Sequence, residues 1–238
     1  MTYLTLTAWI ADALSVANRS MDFMVWNTFL ALIPLVLSLW LFRLSNAFFE
    51  ELFSSGAGYW NTDLGRCLSL RRMGWWLGCA LFVAFLPNAP YVLTDIIHLV
   101  RLIRRGTSLP TIVLILIPQY LIFMLIGLEA YVLSLINLGR YLVKQGQRQW
   151  VLVAELTLHM LCAVGIYLGR FPRFNSWDIV TSPQHLVRYL AQDFLRLETL
   201  IIIMVTFVMI TALYWPLKQV TLAVVWYWRS REQRQQWN

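Results

Sequence analysis

Long runs almost without charge, separated by short segments that collect arginine, constrain this chain more than any other feature. A bilayer core about 30 Å thick takes about 20 mostly apolar residues to cross as a helix. Five segments reach that length: Phe23 to Phe42, Met73 to Ile97, Pro110 to Asn137, Gln149 to Leu168 and Leu197 to Leu217. A backbone in lipid must satisfy its own hydrogen bonds, which leaves helices or closed barrels, and the alternating ten-residue strands of a barrel are absent from the sequence. The expected fold is therefore all-α, a polytopic transmembrane helix bundle of about five spans plus interfacial amphipathic helices. Only 13% of the residues are charged and 59% are hydrophobic, against about 25% charge in soluble domains.

The flanks divide the chain into three parts. Residues 1–22 are expected to be an N-terminal interfacial segment, 23–217 the helix bundle, and 218–238 an interfacial segment with a polar C-terminal tail. Tyr3 to Ala17 reads as a short helix lying on the membrane, because it holds Asp12 and has no basic residue before Arg19, unlike the charged start of a secretory signal. Gln219 to Trp228 is rich in Trp and Tyr and, at ten residues, too short to span. Leu44 to Arg72 reads as a surface loop. Ser182 followed by Pro183 is a helix-start signal. After it Leu186, Tyr189, Leu190, Phe194 and Leu197 oppose Arg188, Gln192 and Arg196, the pattern of an interfacial amphipathic helix.

A net charge of +7 invites a nucleic-acid reading, but the 19 basic residues are divided among every loop. Membrane topology accounts for them, so the expected partners are membrane lipids and further membrane subunits, with no nucleic acid. Counting loops on alternate sides puts eleven basic residues on the side of the C-terminus and eight on the other, which places the C-terminus in the cytoplasm by the positive-inside bias. Cys67, Cys79 and Cys162 form no C-x-x-C pair and imply neither a disulfide framework nor a zinc site.

Ionisable groups at membrane depth are costly and mark function by default. The richest run is LPNAPYVLTDIIH at 86–98. Pro87 and Pro90 are expected to break the helix, with Asn88 capping the helix that restarts at Pro90. On that helix Tyr91, Asp95 and His98, at offsets of zero, four and seven, share one face. The second run, at 165–178, supplies Arg170, Arg173 and Asp178 at the exit of the fourth span, on the same side as the end of the second, where Glu198 joins them. Guanidinium forks there suit carboxylate or phosphate. Glu129, Glu155 and His159 form a third set, readable as a proton relay or, more simply, as acids pairing with Arg148 and Arg140. Asn27 calls for an interhelical hydrogen bond.

These runs resemble the bacterial membrane family known as domain of unknown function family 1361. WNTFLALIP at 26–34, LPNAPYVLTDIIH at 86–98, GIYLGR at 165–170 and FNSWD at 174–178 carry the resemblance, which covers residues 20 to 215. It implies a multi-pass protein of a bacterial cell membrane and supplies no activity. Where many members have a full extra span at the N-terminus, this chain has the segment carrying Asp12.

The leading functional expectation is a polar, partly cationic pocket at one bilayer face that binds an anionic amphiphile or small anion, lined by Asn88, Tyr91, Asp95, His98, Arg170, Arg173 and Asp178. If chemistry occurs there, Asp95 and His98 are the candidate acid/base pair. No cofactor is indicated, and two candidate ligands make no metal site. The alternatives are a transporter or ion-coupled channel using the proline-broken helix, and an assembly or scaffold subunit whose polar motifs hold helices together.

Overall fold

A computed structural model describes residues 3–44, 62–172, 181, 184 and 196–235. Among these residues, five helices are long and apolar enough to cross a membrane: Thr7–Arg43, Met73–Arg104, Leu109–Lys144, Arg148–Arg170 and Leu197–Glu232. The elements are α1 (Tyr3–Leu39), α2 (Thr62–Phe85), α3 (Asn88–Tyr91), α4 (Ile96–Arg104), α5 (Ile117–Lys144), α6 (Val151–Arg170) and α7 (Leu197–Gln235). The second span comprises α2, α3 and α4. Apolar side chains face outward as well as inward, with Val25, Phe29, Val36, Leu121, Ile122 and Val205 all exposed. An aqueous surface would not tolerate such a belt.

The third span is the centre of the bundle, and α5 packs against α1, α3, α6 and α7. Its buried residues include Tyr120, Phe123, Gly127, Tyr131, Ser134 and Leu135, and they recur at helical spacing. Connections at 104–109 and 144–148 turn on Gly106 and Gly146, both in the left-handed region at φ 82° and 75°, a conformation that ends a helix without strain only at glycine.

Both termini depart from expectation. The boundary expected at residue 22 falls inside α1, an unbroken helix in which the Ala17 carbonyl accepts from Gln119 Nε2 on the third span at 3.3 Å. The boundary at 217 likewise falls inside α7, which continues through Pro216 to Gln235. Beyond the proline, Lys218 reaches Glu155 of α6 and Thr221 reaches Glu129 of α5, fastening the next turn to the bundle. The first connection differs as well: the segment expected to be loop up to residue 72 is already helical from Thr62. The amphipathic helix expected after Ser182 lies outside the described residues.

The proline run is bent without being unwound. Pro87, Tyr91, Val92 and Asp95 all keep right-handed helical dihedrals, and Val92–Asp95 tightens into a 3₁₀ turn. The regular donor for the Leu86 carbonyl would be Pro90, which has no N–H; Ala89 N–H bonds there instead at 3.2 Å. With the Ala89 N–H drawn to Leu86, the Phe85 carbonyl accepts instead from Asn88 Nδ2 at 3.0 Å. Asn88 therefore does not cap a helix restarting at Pro90. It repairs the turn before the bend. The bend also needs room on two neighbours: a Cβ on Gly165 of α6 would stand 2.7 Å from Pro87 Cγ, and one on Gly127 of α5 would stand 2.5 Å from Val92 Cγ2.

Candidate functional site

Asp95 is the hub of one end of the bundle. Its side chain is 2% exposed, and an isolated carboxylate at that depth would be expensive. Two other spans compensate it. Asn27 Nδ2 on α1 donates to Oδ2 at 2.8 Å, and Arg170, the last residue of α6, approaches Oδ1 with Nη1 at 3.5 Å. The same guanidinium donates from Nη2 to the Thr94 carbonyl at 2.8 Å and reaches the Tyr91 hydroxyl at 3.4 Å. The helix-face spacing of Tyr91 and Asp95 thus becomes a fork-shaped receptor for one arginine.

His98 stands at the rim. Its Nε2 lies 3.9 Å from Asp95 Oδ1, its side chain is 36% exposed, and its ring stacks on Phe23 of α1 at 4.7 Å between centroids. At 3.9 Å the pair is in ion-pair range and beyond hydrogen-bond range. No third His, Cys, Asp or Glu joins them among the described residues.

Of the residues expected to line this pocket, the structure brings together Tyr91, Asp95, His98 and Arg170. Asn88 sits at the bend with its amide turned to its own backbone. Arg173 and Asp178 lie outside the described residues. Glu198 is exposed in the first turn of α7. Sequence reasoning gave Asn27 an interhelical hydrogen bond but not this partner, and it had no signal for the Thr94 carbonyl or for the Phe23 stack.

A second polar system occupies the opposite end. Glu155 of α6, buried, accepts from Lys218 Nζ at 2.5 Å and from the Tyr214 hydroxyl at 2.8 Å. Glu129 accepts from the Thr221 hydroxyl at 2.8 Å. Neither acid pairs with Arg140 or Arg148, contrary to the simpler expectation, because α7 continues past Pro216 and supplies closer donors. Deeper in the core, His159 Nδ1 lies 2.5 Å from the Tyr131 hydroxyl, and its ring meets the Tyr214 ring edge-on at 4.6 Å. His159 is fully buried, and its Nε2 has no hydrogen-bond partner among the described residues.

A cavity of about 570 Å³ opens beside this second system, bounded by the end of the first span, α5, α6 and the continuation of α7. Arg43, Arg140, Lys144, Lys218 and Arg229 line it together with a single acid among the described residues, Glu155.

Compared with known proteins, the chain matches the family model described as protein of unknown function (DUF1361) over residues 26–212. That interval holds the whole Asp95 cluster together with Glu129, Glu155 and His159, and it ends just before Tyr214 and Lys218. No match was found among curated proteins or among solved structures.

Proposed function

The chain belongs to the DUF1361 family of proteins of unknown function, and because that membership carries no activity, we propose from the geometry alone that it is a multi-pass protein of a bacterial cell membrane that binds an anionic amphiphile or small anion at the Arg170 end of the bundle. The supporting observation is the state of Arg170. One buried and two half-buried partners fix its guanidinium, yet 23% of the side chain remains exposed, and not all of its five N–H donors are used by Thr94, Tyr91 and Asp95. A cation already oriented loses little freedom on meeting a ligand. Asp95 offsets one positive charge, while Arg101 and Arg170 both lie in electrostatic range of the rim residue His98, so the opening stays cationic among the described residues.

Arg170 also holds helices together, so the test uses rim residues. Arg101 is exposed and His98 partly so, which lets Arg101→Gln and His98→Gln alter the opening while sparing the buried cluster. In native mass spectrometry of the full chain, each is expected to lower retention of phosphatidylglycerol severalfold, and Arg170→Lys to lower it further by losing the planar fork. Retention at the parental level in all three variants would sink the reading.

One observation favours an ion-coupled reading as the second choice. Glu155, Lys218, Tyr214, His159 and Tyr131 form a nearly continuous buried polar path from the cavity into the core. Proteoliposomes holding the parent would then dissipate a pH gradient, and Glu155→Gln would stop it; equal rates in parent, variant and empty vesicles would exclude it.

A further inference from the structure

The cavity at the Glu155 end shares no residue with the Arg170 site, and its charge is unbalanced among the described residues. Lys218 is the partner of Glu155. Arg43, Arg140, Lys144 and Arg229 line the same space, and no carboxylate among the described residues stands within ion-pair distance of any of them. Snorkelling cations keep their heads in water, and Arg43, Lys144 and Arg229 are exposed, but Arg43 and Arg229 both lie in electrostatic range of the half-buried Arg140. These converge from three different helices: Arg43 follows α1, Arg140 and Lys144 end α5, and Arg229 lies on α7. Arg140 is only partly exposed, so at least one of the four is drawn out of water with no counter-charge of its own among the described residues.

The rest of the wall is apolar. Phe42 and Ile136 are buried, and Val151 and Leu222 complete that side. A volume of about 570 Å³ falls within the range of roughly 300–1,000 Å³ of small-molecule sites and far exceeds what one phosphate group occupies. The cavity sits where the spans end, Lys144 being the last residue of the third span, so in a bilayer it would lie at or beyond the edge of the hydrocarbon. Cationic forks on one side and aliphatic and aromatic carbon on the other match a molecule that is anionic at one end and hydrocarbon at the other. Several oxygens sharing one or more charges satisfy several guanidinium groups at once, so the fitting anion is a phosphate.

We propose that this cavity, formed by Arg43, Arg140, Lys144 and Arg229 over Phe42, Ile136 and Leu222, is a binding site for the phosphate headgroup of an anionic amphiphile. The site exists only because α7 runs on past Pro216 and carries Lys218, Leu222 and Arg229 alongside α5.

The test uses the full chain carrying Arg101→Gln and His98→Gln, which weaken lipid binding at the Arg170 opening and leave this cavity untouched; this parent, delipidated in detergent, is titrated in native mass spectrometry with dioleoyl phosphatidylglycerol, with dioleoyl phosphatidylcholine, and with the first lipid against an equal concentration of inorganic phosphate. The parent is expected to prefer phosphatidylglycerol at least tenfold and to keep it in the presence of phosphate. Arg140→Gln with Arg229→Gln removes the preference, as does Arg43→Gln with Lys144→Gln; Arg104→Gln, at the opposite end, leaves it intact. Helical circular dichroism confirms that each variant folds, and if one pair does not, the other decides. A preference that survives in the folded pairs overturns the site. Displacement of the lipid by equimolar phosphate overturns the amphiphile and makes it a site for a soluble phosphate. The Arg101 and His98 variants do not touch this cavity, so failure here and failure of the Arg170 reading are separable.

Discussion

Arg170 serves Asp95, the Thr94 carbonyl and the Tyr91 hydroxyl together, so removing it strands three groups. Deleting one partner of a buried ion pair typically costs about 3–5 kcal/mol, and Arg170→Ala is expected near the lower end because the guanidinium is partly exposed. Asn27→Ala removes one hydrogen bond to the same carboxylate and is expected to cost about 1.5 kcal/mol. Chemical denaturation in mixed micelles measures both, and equal losses would show that the arginine is not the principal partner. The sequence made Tyr91, Asp95 and His98 legible as a face because helical spacing is arithmetic. It could not join Asn27 to Asp95, 68 residues away, since a lone amide in a span is satisfied by any neighbour that happens to pack there. Nor did spacing reveal the cationic cavity. Lys218, Leu222 and Arg229 fall at offsets of zero, four and eleven, one face of a helix, but only if the helix is allowed to continue past Pro216.

Two glycines let the bent second span seat against its neighbours. With Cβ positions 2.5 Å from Val92 and 2.7 Å from Pro87, Gly127→Ala and Gly165→Ala overpack a tight contact, at a cost of about 1–3 kcal/mol each. Val92→Ala should restore only part of the loss in Gly127→Ala, because it removes the valine methyls but leaves the Ala89 carbonyl 2.9 Å from the new Cβ. A double-mutant cycle on thermal unfolding checks this, and simple additivity would place the strain elsewhere. The helices themselves were legible from apolar length, while their ends were not. The first and last helices extend through segments whose polarity suggests separate pieces, and tertiary anchors such as Gln119 on Ala17 and Lys218 on Glu155 carry the helix onward. Pro87 and Pro90 suggested an opened backbone; the Asn88 amide and the Ala89 N–H close it again.

Five helices among the described residues are long and apolar enough to cross a membrane, and five crossings would put the two ends of the chain on opposite sides. With eleven basic residues on the C-terminal side against eight, a reporter that is active only in the cytoplasm is expected to be active when fused after Asn238 and silent before Met1; the reverse pattern would invert both proposed sites. The first and last helices, of 37 and 39 residues, are about 55 and 58 Å long at about 1.5 Å per residue, so each outreaches the hydrocarbon at one or both ends. The separation of Asp95 from Arg170, 75 residues of chain, has a consequence in time. At a synthesis rate of about 5–20 residues per second, the carboxylate is made about 4–15 s before its arginine. Asn27, on the first span, precedes both in the chain, and its amide is, among the described residues, the one partner of Asp95 on another span that is made before Arg170. Asn27→Ala should therefore lower the amount of protein recovered from cells by more than its modest effect on the finished fold, as a newborn second span waits with nothing to hold.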